Sequence, residues 1–285
     1  DAYFARFGWA GTGVTVPDDK TVWTPSGNKL TPTTPVTLSW TNSLNQKFDI
    51  ALSIDENYMI TAKQTFTNGG STPVEIANFA LLSRTGKPAD ATSGGSIFTH
   101  IHIGPMGVFD EKPNYDWGYV DVEENKGEAS FTSTGGWLGF TDKYWLGALI
   151  PDQKTPVSAK FRASGDVYQA QVIPTRYTSV APGAALNSGS RLFAGAKEMA
   201  VLDAYAKNLG IPYLDYAIDW GWFWFIAIPF FWILHWLFGL FGNFGLAIIG
   251  LTIIVRGFMY PVAQKQFASM AQMRAVQPKL KALQE

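Results

Sequence analysis

The chain contains no cysteine and only three histidines in 285 residues. Disulfide frameworks, cysteine-based zinc or iron–sulfur centres and thiol nucleophiles are therefore excluded. Charge is sparse as well, at 16% Asp, Glu, Lys and Arg. The 22 basic and 23 acidic residues nearly cancel, which argues against a nucleic-acid binder driven by bulk positive charge. No Gly-x4-Gly-Lys-Ser/Thr phosphate loop occurs, so nucleotide chemistry has no visible cradle. No cofactor and no covalent catalysis are expected. The mean hydropathy of +0.02 averages two unlike segments.

Between Asp219 and Lys265 the sole formal charge is Arg256. A run this long and apolar belongs in a bilayer rather than on a soluble surface. Residues 1–210 carry 17 basic and 20 acidic groups, and residues 211–285 carry 5 and 3.

The polar segment reads as β. Phe48, Ile50, Leu52 and Ile54 alternate with polar or small residues, Asp55-Glu56-Asn57 offers a turn, and Tyr58, Ile60, Ala62, Gln64 and Phe66 alternate again. Period-two alternation about a polar turn predicts a hairpin. Val36–Trp40, Val74–Ile76 and Val167–Val172 repeat the pattern, with frequent Gly, Pro, Asn and Asp between them. Many short strands predict a mainly β, antiparallel sandwich. The first helical spacing comes late, over 196–208, with Gly210 as C-cap. The chain opens on Asp1-Ala2-Tyr3 without a leader-like apolar stretch, so a segment upstream is expected.

The apolar block divides in two. Trp220, Trp222, Trp224, Trp232 and Trp236 crowd its first half. Tryptophan favours the headgroup level, so this half is expected to lie along the membrane surface. The aliphatic second half is expected to span. Beyond it stand Lys265, Arg274, Lys279 and Lys281, which the positive-inside tendency places in the cytoplasm. The β domain is then outside.

Arg256 lies about 20 Å into the span at 1.5 Å per residue, and a central arginine costs about 2.5–3.5 kcal/mol on insertion scales. It either snorkels to the cytoplasmic headgroups or faces a polar cavity that meets substrate. Thr252 and Tyr260 lie four residues to either side and share its helix face, a stripe that favours the cavity. Past Phe267, the series Met270, Met273, Val276, Leu280 and Leu283 forms a packing stripe, or else a surface for a ribosome, targeting factor or nascent chain. Pro278 is expected to kink or restart that helix.

His100 and His102 flank one residue and would share a strand face, but two histidines do not make a metal site, and none is expected. The pairs Asp18-Asp19, Asp55-Glu56, Asp110-Glu111 and Glu123-Glu124 sit in turn-like contexts and read as solvated loops.

An ordered series of motifs then stands out. It comprises Leu214-Asp215-Tyr216, Trp220-Gly221-Trp222-Phe223-Trp224-Phe225-Ile226, Gly242-Asn243-Phe244-Gly245, Thr252-Ile253-Ile254-Val255-Arg256 and Tyr260-Pro261. Gln266, Ser269-Met270, Met273 and Gln277-Pro278-Lys279 follow. This series resembles the YidC membrane protein insertase family, and Lys143-Tyr144-Trp145 through Leu149-Ile150-Pro151 resembles its periplasmic domain. The resemblance implies a β-supersandwich periplasmic domain over 1–195, a linker helix over 196–210 and a Trp-rich interfacial helix over 211–241. A transmembrane helix over 242–262 and the start of a cytoplasmic helical hairpin over 263–285 would follow. The signal anchor, the first periplasmic strands and the later spans of the family would lie outside this sequence. It further implies a bacterial inner-membrane protein whose buried Arg256, with Thr252 and Tyr260, lines a hydrophilic groove for nascent membrane proteins. Its partners would be those substrates, the lipid bilayer and Sec translocon components. The alternative is a membrane-anchored periplasmic domain that binds carbohydrate or peptide.

Overall fold

The computed structural model describes residues 3–91 and 101–284. They form two compact units, Asp1–Asp219 and Trp220–Glu285. The first unit is built from β1 (Tyr3–Thr12), β2 (Thr24–Pro25), β3 (Val36–Thr41), β4 (Gln46–Ile54), β5 (Met59–Asn68), β6 (Val74–Thr85), β7 (Gly104–Phe109) and β8 (Lys112–Asn114). It continues through α1 (Tyr119–Glu124), β9 (Glu128–Thr134), β10 (Trp137–Thr141), β11 (Trp145–Ile150), β12 (Pro156–Ser164), β13 (Val167–Pro174), β14 (Thr178–Val180), β15 (Ala185–Ala196) and α2 (Met199–Leu209).

Among the described residues the strands make two antiparallel sheets. The smaller runs β1-β6-β13-β12-β9, with β14 also on β6, and the larger runs β2-β3-β4-β5-β15-β11-β10-β7-β8. The expected hairpin is β4–β5, with Phe48 opposite Phe66 and Leu52 opposite Ala62. Its inward residues Phe48, Ala62 and Phe66 are fully buried. Tyr58 departs from the expected alternation. It adopts φ 66° in the turn and is exposed, because Asp55 Oδ1 accepts from the Asn57 and Met59 amides and tightens the chain there.

Two apolar clusters fill the space between the sheets. One gathers Leu82, Phe140, Leu149, Phe161 and Tyr168, and the other Trp9, Phe48, Phe66 and Ile76. A third lies on the other face of the larger sheet, where Leu202 and Tyr205 of α2, with Ile211, Leu214 and Ala217, cover Trp137, Leu146, Ala148 and Phe193. β10 and β11 are thus covered on both faces. That explains why their sequences, Trp-Leu-Gly-Phe-Thr and Trp-Leu-Gly-Ala-Leu-Ile, do not alternate.

α2 therefore does more than link. The segment after it is pinned by Tyr115 Oη donating to the Tyr216 carbonyl (2.8 Å) and Trp137 Nε1 donating to the Pro212 carbonyl (3.1 Å). Residues 211–219 belong to the β unit rather than to the interfacial helix that the resemblance implies over 211–241. Gly210 takes the left-handed cap, at φ 62°.

The carboxylate pairs are structural. Asp110 and Glu111 form the tight β7–β8 turn, both with positive φ. Glu123 pairs with Lys87 (2.8 Å) and accepts from Tyr168 Oη. The densest charged cluster was not foreseen. On the rim of the smaller sheet, Glu128 accepts from Lys160 (2.8 Å), Ser130 (2.7 Å) and Arg162 (2.9 Å). The Lys160, Ser130 and Arg162 hydrogen bonds hold its carboxyl down at about 2. A depressed carboxylate contributes stability above its unfolded value and loses it as pH falls through the folded one. Melting temperature should therefore drop on acidification from pH 4.5 towards 2, and Glu128→Gln should flatten part of that drop. Identical acid profiles for the two proteins would refute this role.

Candidate functional site

The second unit holds α3 (Trp224–Phe241) and α4 (Phe244–Gln284). The turn between them is local chemistry. Gly242 ends α3 at φ 61°, its amide donating to the Phe238 carbonyl. Asn243 then starts α4, its Oδ1 accepting from the Leu246 amide (3.2 Å). The helices close on one another at Leu237 and Ala247, both buried. At Gly250 a Cβ would stand 3.3 Å from the Phe241 ring. Small residues at the contact let two apolar helices approach without lost packing.

Both helices are long and apolar enough to cross a membrane, with mean hydropathy 1.8 over Trp224–Phe241 and 1.9 over Phe244–Met270. Their flanks are lined with exposed Phe225, Leu240, Ile249, Ile253 and Phe258, surface that water does not accommodate. α4 does not end at the expected boundary near residue 262. It runs through Pro261 and Pro278.

Thr252, Arg256 and Tyr260 fall on one face of α4 and are all exposed. Arg256 stands on the part of α4 that α3 does not cover, away from the contact at Ala247 and Gly250. Thr252 Oγ1 donates to the Ile248 carbonyl (2.8 Å), which satisfies its proton and leaves lone pairs outward. Gln264 Nε2 donates to Tyr260 Oη (3.0 Å). Pro261 has no amide for the Gly257 carbonyl, which adds an acceptor beside Arg256. The face therefore offers one fixed cation and several neutral hydrogen-bonding groups on an aliphatic helix.

Of the five tryptophans, Trp220 and Trp222 precede α3, Trp224 opens it, and Trp232 and Trp236 lie within it. Trp220 packs edge-on to Phe231, at 5.3 Å between centroids. The other four are exposed.

In the β unit, the His102 amide donates to Asp219 Oδ2 (3.0 Å), and His102 Nε2 lies 2.9 Å from the Pro105 carbonyl. His100 lies outside the described residues. Among the described residues no group of three His, Cys, Asp or Glu could hold a metal ion. Asp219, read from sequence only as the edge of the apolar block, in fact anchors the 101–103 segment.

Residues 1–233 match the family described as YidC periplasmic domain, and residues 236–285 match the 60Kd inner membrane protein family. The chain belongs to the YidC family. Membrane protein insertase YidC of Zymomonas mobilis subsp. mobilis is 40% identical over 287 residues, covering 100% of this chain and 49% of that protein. Those of Nitrobacter hamburgensis and Sinorhizobium medicae are each 42% identical, over 300 and 291 residues, covering 99% and 100% of this chain and 48% of each relative. The chain spans about half the length of the curated YidC relatives it matches. The two-sheet unit is accordingly a YidC periplasmic domain, followed by the helices of an inner-membrane protein.

Proposed function

We propose that this chain forms part of a membrane protein insertase, in which the Thr252–Arg256–Tyr260 face of α4 receives the hydrophilic part of an incoming membrane segment. The observation that carries this reading is a cation flanked by hydroxyls on one face of an aliphatic helix, in a chain of this family. A polar face set within the bilayer shortens the apolar distance a hydrophilic tail must cross. The low dielectric there strengthens the attraction of Arg256 for acidic residues in that tail. The apolar part of the segment then moves into lipid, where burial releases about 25 cal/mol per Å². Binding and release complete the cycle without a covalent step.

In this reading α3 lies along the outer surface. Trp232 sits eight residues into α3, about 12 Å along its axis, so an upright α3 would carry it towards the bilayer centre. A flat one keeps Trp224, Trp232 and Trp236 at the headgroups. The basic end of α4 is cytoplasmic and the β unit periplasmic, free to dock Sec translocon components. The test places a photo-reactive phenylalanine analogue at Thr252, Tyr260 or Ile253 of the full-length protein. Positions 252 and 260 should capture a ribosome-stalled membrane segment several-fold better than 253, which should capture lipid. Equal capture at all three positions refutes the polar face as the receiving surface.

A further inference from the structure

The β unit gathers exposed aromatic rings at one end. The β10–β11 turn reads Asp142-Lys143-Tyr144 and runs into Trp145, at a place where small and polar residues are the rule. Tyr144 is 66% exposed and Trp145 61%. Tyr3 and Phe4, which open β1, are exposed as well. With Trp145 they rim a cavity of about 410 Å³ whose walls include Leu82, Phe140 and Leu192. Single exposed aromatics are ordinary on a protein surface, but a cluster of them around an apolar opening is not.

The turn is firmly held. The Asp142 amide donates to the Trp145 carbonyl (2.9 Å), and the Lys197 amide donates to the Tyr144 carbonyl (2.9 Å). Lys197 Nζ donates to Thr141 Oγ1 (3.0 Å). Arg84 pairs with the Asp142 carboxylate at 2.8 Å, so that negative charge is matched within the protein. Lys143 is exposed, with its Nζ 5.3 Å from the centre of the Tyr144 ring. The tip therefore presents two amphipathic rings and a cation. Rings of this kind favour the boundary between lipid headgroups and acyl chains, and an ammonium there meets phosphate.

The chain leaves the β unit at this same end. Gly104 pairs with Thr141 across β7 and β10, so residues 101–103 run on beside the 142–145 turn. The His102 amide donates to Asp219 Oδ2 (3.0 Å), which fixes Asp219 there. Asp219 closes this unit, and α3 begins at Trp224. Five residues of extended chain cover no more than about 18 Å. α3 and α4 are the helices long and apolar enough to cross a membrane, so the aromatic end is on a short leash to whatever bilayer takes them.

We propose that this end of the β unit rests in the headgroup layer of the bilayer, with Tyr144 and Trp145 at the apolar boundary and Lys143 on lipid phosphate. The short link brings the end to the membrane, and the rings make it adhere. The inference rests on α3 and α4 lying in a membrane and not on the reading of Arg256, so capture at positions 252 and 260 can fail while it stands.

The absence of cysteine gives clean single labelling sites. The whole chain is placed in phosphatidylcholine nanodiscs with a nitroxide on the lipid headgroup, and a fluorophore is attached at Tyr144→Cys, Trp145→Cys or Lys154→Cys. Lys154 is exposed in the turn beyond the other end of β11, and that strand alone spans about 17 Å by its rise per residue. Quenching at 144 and 145 should exceed that at 154 several-fold. A label at Ile101→Cys, exposed at the same end, separates adhesion from the leash. Its quenching should fall several-fold when Tyr144→Ser and Trp145→Ser are added, with the melting temperature unchanged because both side chains face solvent. A label at Phe258→Cys, quenched by an acyl-chain nitroxide, reports independently that the helices are in the bilayer. With that control positive, equal quenching at 144, 145 and 154 would overturn the proposal. So would quenching at Ile101→Cys that survives the two serine substitutions. Energy transfer between labelled copies in detergent, abolished by the serine pair and with no quenching in nanodiscs, would also overturn it and reassign the patch to a second copy of the chain.

Discussion

In cells that depend on the full-length protein, Arg256→Ala should cut insertion of a substrate with an acidic translocated tail by about tenfold or more, while Arg256→Lys should retain most of it. Each factor of ten corresponds to about 1.4 kcal/mol. Two unit charges about 4 Å apart attract by about 4 kcal/mol at an effective dielectric of 20, so partial screening still leaves an effect of this size. Lysine keeps the point charge and loses the planar fork. A small Lys defect beside a large Ala defect therefore identifies charge as the acting property. A substrate whose tail carries no acidic residue should lose little with either variant. Quantified pulse-labelling and protease protection read all four combinations. If both variants insert the acidic-tail substrate as well as wild type, the electrostatic role of Arg256 is refuted.

The largest effect on stability is expected at Asn68. It is fully buried at the end of β5. Its Nδ2 donates to the Thr72 and Val180 carbonyls (both 2.9 Å), and its Oδ1 accepts from the Gly70 amide (3.1 Å) and Gln46 Nε2 (3.3 Å). The same residue's amide donates to the Ala184 carbonyl, and its carbonyl accepts from the Gly183 amide. One side chain thus closes the β5–β6 turn and ties it to the β14 end. Asn68→Ala leaves several of these groups buried and unpaired, at about 1–3 kcal/mol each. A total loss of about 3–5 kcal/mol is a large share of the 5–15 kcal/mol typical of a domain. Circular-dichroism melts of the whole chain should show the β transition lowered by about 6–20 degrees, by the usual scaling of stability with melting temperature for a domain of this size. A shift of only a degree or two would show that water satisfies these groups and that Asn68 is not the tie.

Much of this was legible in local spacing. Alternation about Asp55-Glu56-Asn57 marks β4–β5 because each inward side chain meets the opposite sheet while its neighbour meets water. The same rule finds β13, where Tyr168, Ala170 and Val172 are buried in turn. Helical spacing and Gly210 locate α2, and the near-absence of charge locates α3 and α4. The Thr252–Arg256–Tyr260 face follows from the 3.6-residue turn alone.

Other features were not legible, each for an identifiable reason. β10 and β11 carry no alternation because α2 and 211–217 cover their second face. That cover depends on residues distant in sequence, such as Trp137 reaching Pro212. That Arg256 stands clear of α3 depends on which part of α4 meets it. Tyr144 and Trp145 read as ordinary strand residues, and nothing local tells that they share one end of the β unit with Tyr3, Phe4 and Asp219. That grouping exists only because β7 pairs with β10 and brings 101–103 alongside the turn.

Period-two alternation, together with the scarcity of charge and the placement of the few charges present, suffices for the class of this protein: a β domain joined to an apolar helical segment with one cation inside it. Periodicity acts within a few residues, and so it reports elements and faces. Which faces are covered and which exposed side chains gather at one end are set by contacts across tens to more than a hundred residues, and only the folded chain brings those together.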